Sequence, residues 1–244
     1  MIHVALIAFA LAAPLPKNDA ANSKATLAML AELGLTDSYG KLSNVPDRYL
    51  LAEGDLKKVR DNPEEFPLRA VILKAGERIR SRNGDKFPTE FKATDLKSAK
   101  AAIEPHKKDL ALRILDLEES LDEVSALQRL AEKESHPRWQ AHNEFLLAYL
   151  SVELSKAHEY NTLLGNVATE TIDEKAFDDG QNCLRLVAVD HLKCRKQYRD
   201  MAKAGKERFA AVAKAHRGTP WGDLAEKMGE QQLGLKWESV KLEK

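Results

Sequence analysis

The chain has 244 residues, 38 Lys plus Arg against 38 Asp plus Glu, and no net charge, so it lacks the basic excess that a nucleic-acid binder needs to release counterions. Charged residues make up 31% and aromatics only 6%, with the apolar fraction drawn mainly from Ala and Leu. That is the composition of helices packed through narrow apolar stripes, in one elongated domain or one domain with a small appendage.

The first residues, Met1 to Lys17, carry an apolar run from Val4 to Ala13. It is too short to span a bilayer and has the length of a secretory h-region, with Ala10-Leu11-Ala12 as an A-x-A cleavage pattern. His3 stands where Lys or Arg is usual. The expectation is a signal peptide over 1–13, export to the periplasm or cell envelope, and no stable membrane insertion after cleavage. A buried N-terminal segment of a cytoplasmic protein is the alternative.

Residues 14–93 read as a short-helix region. Ser23 is a candidate N-cap and Gly34 a stop, and two or three short helices and turns follow among Gly40, Pro46, Gly54, Pro63 and Pro67. A helix is expected from Leu68 to about Arg82, ended by Asn83-Gly84 and Pro88. Another is expected from Thr94 to Ile103, before Pro105.

Residues 94–244 read as a long-helix bundle with a C-terminal capping helix. Leu110, Ile114, Leu117, Leu121, Val124, Leu127 and Leu130 form one stripe, with "DLEESLDE" (116–123) on the solvated face. Pro137 opens a helix running to about Leu164 and Gly165; its apolar residues wrap two sides, which predicts a central position. A third helix is expected from Asp173 or Phe177 to Ala215, its stripe including Leu184, Val187, His191, Cys194, Met201, Gly205 and Phe209. Cys183 and Cys194 would then lie roughly 16 Å apart on one helix, too far to pair. No alternating pattern is long enough to predict a sheet. The fold class is all-α: an antiparallel helical bundle or helical-hairpin, tetratricopeptide-like array with three long C-terminal helices.

Familiar chemistry is scarce. Nucleophile elbows, Gly-rich phosphate loops, His-Glu-x-x-His, Glu-x-x-His and Cys-x-x-Cys-His are all missing. His191 and Cys194 share a face at helical spacing, but both fall on the apolar stripe, where a core His and a buried Cys are the plainer reading. No catalytic residue, metal or cofactor is therefore assigned. The segment 135–166 holds the most unusual side chains; Arg138, Trp139, Glu159, Tyr160 and Asn161 are the candidates for a partner surface, or else residues that pack and satisfy a corner. At the other end, "AHRGTPWGDLAEKM" (215–228) reads as a helix corner. Gly218 makes the reversal after His216, Thr219 caps, Pro220 takes the first helical position, and Trp221 folds back on the preceding helix.

Three segments carry a resemblance. Pro137-Arg138-Trp139-Gln140-Ala141, then Glu159-Tyr160-Asn161 with Leu164-Gly165, then His216 with Gly218-Thr219-Pro220-Trp221 and Leu233-Gly234 with Trp237, resemble a family of exported bacterial helical proteins of uncharacterised activity. The three segments lie between Pro137 and Trp237, in the C-terminal half of the chain. The chain departs from it at His136 where Ser is usual, at Asn143-Glu144-Phe145 where an aromatic–acid–aromatic run is common, and at Arg217 where Pro is usual. The resemblance implies a tetratricopeptide-like or bundle scaffold and export, and carries over no catalytic residue. The functional expectation is a non-catalytic exported scaffold that binds a protein partner, with homo-oligomerisation possible. An unrecognised metal-binding or enzymatic protein and a self-assembling envelope component are the alternatives.

Overall fold

The computed structural model describes residues 20–35, 41–81, 87–169 and 174–242. The leader expected over 1–13, Gly40, the Asn83-Gly84 stop and Asp173 lie outside these residues. The described chain is mostly helical. In order it forms α1 (Ala20–Glu32), a 3-10 turn (Asp47–Tyr49), α2 (Asp55–Asp61), α3 (Pro67–Ser81), β1 (Glu90–Lys92) and α4 (Leu96–Ala126). There follow α5 (Gln128–Ala131), α6 (Pro137–Ala168), a second 3-10 segment (Glu174–Gly180), β2 (Cys183–Val189), α7 (Lys196–Ala215), α8 (Pro220–Gly229) and β3 (Gly234–Val240).

Helix α6 is the centre. Between Arg138 and Tyr160 only Glu144 is exposed, because α4, α7, the sheet and the N-terminal elements all pack around it. On the α7 side the approach is close: a Cβ on Gly205 would stand 2.7 Å from Val152 Cγ2 and 3.3 Å from the Ala148 carbonyl oxygen. The facing positions on α6 are accordingly small. The Ser151 and Ser155 hydroxyls satisfy themselves by donating back to the Leu147 and Ser151 carbonyls, both at 2.7 Å. Phe145 on Phe209 and His158 on Tyr198 pair the two helices antiparallel. Helices α3 and α4 are antiparallel too, since Lys74 and Arg78 reach Glu123 and Glu119 in reversed order. The acidic run on α4 is thus partly spent on α3 rather than wholly on solvent.

Several boundaries differ from expectation. Ser23 lies inside α1 rather than before it, and Asp95, not Thr94, caps α4 through a capping box with Ser98. Helix α4 passes straight through Pro105, whose lost bond belongs to the carbonyl of Ala101; both residues are on the exposed face, where water takes up the freed group. Gly165 does not end α6, which continues to Ala168.

The larger correction is a three-stranded antiparallel sheet, ordered β1-β2-β3. The helix expected from Phe177 is broken where Asp179 and Gly180 take successive left-handed conformations, φ 56° and 75°. A strand then begins. Leu184 and Leu186 turn inward with Phe91 and Trp237, a period of two that three- and four-residue spacing had disguised. His191 consequently sits exposed on the loop after β2, and Cys183 and Cys194 lie on a strand and a loop, both buried and free. β1, from the short-helix region, and β2 and β3, from the long-helix region, share this sheet, and the buried side chains of both regions form one core.

Helix α1 crosses α3 at a pair of glycines. A Cβ on Gly76 would fall 1.8 Å from the Glu32 carbonyl oxygen, a backbone atom that cannot swing aside. Gly76→Ala gains about 1 kcal/mol of helix propensity, but overpacking costs roughly 1–3 kcal/mol and the clash is with backbone. Urea unfolding should show the variant less stable than the parent; an equal or higher midpoint contradicts this packing.

Candidate functional site

Helix α6 begins at a corner built by α5 and α3. His136 caps it, with Nδ1 accepting from the Arg138 N–H at 3.2 Å, and Pro137 occupies the first turn. Arg69 grips Glu134 through two bonds of 2.8 Å and lies over the Trp139 ring. Trp139 is fully buried, and among the described residues its indole N–H meets no acceptor.

One turn further on, the interior holds a polar cluster. The Arg138 guanidinium forks onto Glu32 at the end of α1, Nη2 to Oε1 at 2.8 Å and Nε to Oε2 at 3.1 Å, and also donates to the Tyr49 carbonyl. His142 Nε2 stands 2.9 Å from Glu32 Oε2. The Trp221 indole N–H donates to His142 Nδ1 at 3.2 Å. An indole nitrogen only donates, so Nδ1 is bare and the proton sits on Nε2, pointing at the carboxylate. His142 is therefore neutral and the buried charges cancel as one Arg–Glu pair. Burial holds the His142 pKa below its ordinary value, helped by Arg138 and opposed by Glu32. Burial by itself would raise the Glu32 pKa; the bonds from His142 and Arg138 and their charges outweigh it and hold the carboxyl below the usual range.

The cluster continues through Tyr49, which stacks on Trp221 at 5.1 Å between centroids. The Tyr49 hydroxyl meets His216 Nδ1 at 3.0 Å, and His216 Nε2 meets Glu144 Oε2 at 3.1 Å. Glu144, half-exposed, is where this chain of contacts reaches solvent. The turn that carries His216 and Trp221 has Gly218 at φ 74°, and Thr219 capping α8 by accepting from the Gly222 N–H. Gly222 has its own reason: a Cβ there would lie 2.3 Å from the His216 carbonyl oxygen.

A second buried carboxylate, Glu159, sits toward the other end of α6. It accepts backbone N–H groups from Lys193 and Cys194 at 2.7 Å and from Leu235 at 3.3 Å. This binds the loop after β2 and the start of β3 to the helix. Burial and the neighbouring Glu159 push the Cys194 thiol up to about 11, so it stays protonated at neutral pH. The Tyr160 hydroxyl donates to the Pro88 carbonyl at 2.8 Å.

Of the five residues expected as a partner surface, Arg138, Trp139, Glu159 and Tyr160 lie inside and Asn161 alone is exposed. Arg138 and Glu159 belong to separate clusters, joined by different partners to different ends of α6. Sequence reasoning missed Glu32, Tyr49, His142 and Glu144. Glu32 had a signal: it is the sole charged residue between Ala25 and Leu35. Among the described residues no three His, Cys, Asp or Glu side chains converge as a metal site. The open depression between α2 and α3, floored by Val59, Pro63, Pro67 and Val71, contains none of the clustered residues. Comparison of the chain with protein-family models, curated proteins and solved structures finds no match.

The cluster's energetics are directly measurable. Trp221→Ala should cost roughly 3–5 kcal/mol, whereas Trp221→Phe keeps the ring and orphans only His142 Nδ1, at about 1–3 kcal/mol. A Trp221→Phe variant as stable as the parent in chemical denaturation would place the indole N–H outside the cluster. Acid is a second probe. An unfolded His142 takes a proton below about 6.5 while the folded one resists, and Glu32 behaves likewise below about 4.5. The unfolded state thus binds more protons, and stability falls as pH drops through each window. His142→Gln, which keeps a donor and an acceptor, should flatten the slope of stability between pH 6.5 and 4.5.

Proposed function

We propose that the chain is a non-catalytic helical scaffold that works by binding a protein partner, and that it is exported. The observation that carries this reading is the inward aim of its polar side chains. Arg138, His142, Glu32, Tyr49, His216 and Glu159, the groups best suited to acid–base or electrostatic work, are buried and bonded to one another or to backbone. A reacting group has to reach a substrate, and these are arranged to hold α1, α6, α8 and β3 together. The succession of α3, α4, α6 and α7, each packed on the next, supports a helical-hairpin, tetratricopeptide-like kind of scaffold, with the sheet as an addition at one end of α6. Among the described residues no helix is long and apolar enough to cross a membrane. Export rests on the apolar run Val4–Ala13 with its A-x-A pattern and on the resemblance of the three segments to exported helical proteins.

Two measurements test the two halves. Fractionation of cells expressing the chain, with N-terminal sequencing, should find it outside the cytoplasm beginning near Ala13, and deletion of 1–13 should retain it inside; an uncleaved cytoplasmic product overturns export. In-cell crosslinking should recover one specific protein at stoichiometric yield. Purified chain carrying stoichiometric metal, or turning over a small-molecule substrate, overturns the scaffold reading.

A further inference from the structure

β3 is an edge strand: it pairs with β2 on one side, and among the described residues no strand pairs with the other. Its alternation is regular. Leu235, Trp237 and Ser239 are half-buried, the Trp237 indole donating to the Leu163 carbonyl of α6 at 3.1 Å, while Lys236 and Glu238 are exposed. The direction of its backbone groups follows from the ladder. The Leu186 N–H bonds to Thr89 on the β1 side, so Arg185 and Val187 face β3 and bond with Glu238 and Lys236. The N–H and C=O groups of Leu235, Trp237 and Ser239 therefore point away from β2. The Leu235 N–H confirms this, since it is taken by Glu159. Among the described residues, Trp237 and Ser239 present an open ladder. Open edges invite a further strand.

The charges select which strand. If a second β3 approaches antiparallel, the outward residues must pair odd with odd, and only a few registers are available. Centred on Trp237 against the partner's Trp237, Lys236 falls opposite the partner's Glu238 on the exposed face, and by symmetry Glu238 falls opposite the partner's Lys236. Shifted one way, Glu238 meets Glu238; shifted the other, Lys236 meets Lys236. Both shifted registers oppose like charges directly, and the central one pairs opposite charges twice. The same row continues across the sheet. Glu238 lies opposite Arg185, which itself donates to Glu90 at 2.8 Å, so signs alternate from β1 to the partner strand.

We propose that β3 docks on the β3 of a second copy of this chain, antiparallel and about a two-fold axis at Trp237, making one continuous six-stranded sheet. The two Trp237 residues exchange N–H···O=C bonds, each Ser239 N–H donates to the partner's Leu235 carbonyl, and the Leu235 N–H stays on Glu159. The interface is isologous and closes on itself, giving a dimer rather than a fibre. It goes beyond the scaffold reading and does not rest on it.

Sedimentation of the full chain across a concentration series tests it. The expected result is a reversible dimer. Ser239→Pro removes an outward N–H and leaves the β2 ladder intact, so it should abolish the dimer while the thermal melt of the monomer is little changed. Lys236→Glu should weaken the dimer about tenfold or more by turning both pairs repulsive. Lys236→Glu combined with Glu238→Lys should recover binding. If the proline variant fails to fold, the charge variants decide, because both side chains are exposed. A chain that stays monomeric at high concentration overturns the proposal, as does a dimer indifferent to the charge reversal or an assembly larger than two.

Discussion

The Arg138–Glu32 pair ties the end of α1 and the Tyr49 turn to the central helix α6. Two charges have been taken out of water, and the interior tolerates them because the fork is bidentate and the remaining positions are filled by His142 and the Tyr49 carbonyl. Removing either partner alone would leave the other charge buried, a penalty of about 3–5 kcal/mol and a large fraction of a domain's net stability. The pair also explains the neutrality of His142. With the charges already balanced, an imidazolium would be uncompensated, and the Trp221 N–H occupies the nitrogen that would carry the extra proton. Stability and protonation state are one arrangement here.

Glu159 plays the matching part at the opposite end of α6, with a different physical basis. Its countercharge is distributed over three backbone N–H dipoles rather than one guanidinium. A carboxylate held by backbone fixes position more than it recognises a side chain, and here it fixes the sheet against the helix. The two acids thereby divide the labour along α6: one anchors helices, the other anchors strands. Gly205 and the small residues facing it leave the α7 side of mid-α6 to close packing, with the Ser151 and Ser155 hydroxyls bonded back to the helix's own carbonyls.

Helix positions were legible in the sequence wherever apolar residues recurred over many turns, as in α3, α4 and α6, and where Pro and Gly marked entries, as at Pro137 and Pro220. The strands were not. "CLRLVAV" is short and satisfies both a two-residue and a three-to-four-residue period, and only the left-handed Asp179-Gly180 pair upstream decides between them. Pro105 misled in the other direction, because an exposed turn can give up a hydrogen bond to water while a buried one cannot. The cluster was half legible. His216 and Trp221 stood out by residue type, but the long-range partners that define their role, Tyr49 and His142, look ordinary in their own segments. Glu32 was visible as a lone acid in an apolar helix; what it paired with was not.

The spacing of the cluster in the chain has a kinetic consequence. Glu32 waits for Arg138 across 106 residues, Tyr49 for His216 across 167, and Ser43 for Asp223 across 180. During synthesis α1 can settle on α3 early, but the Tyr49 turn meets His216 and Trp221 only when nearly the whole chain has emerged. Closure of such distant contacts is slow, and it joins the two ends of the sequence in a single late event. The segment from Ser43 to Tyr49 is thus among the last parts to be locked, although it is among the first to be made.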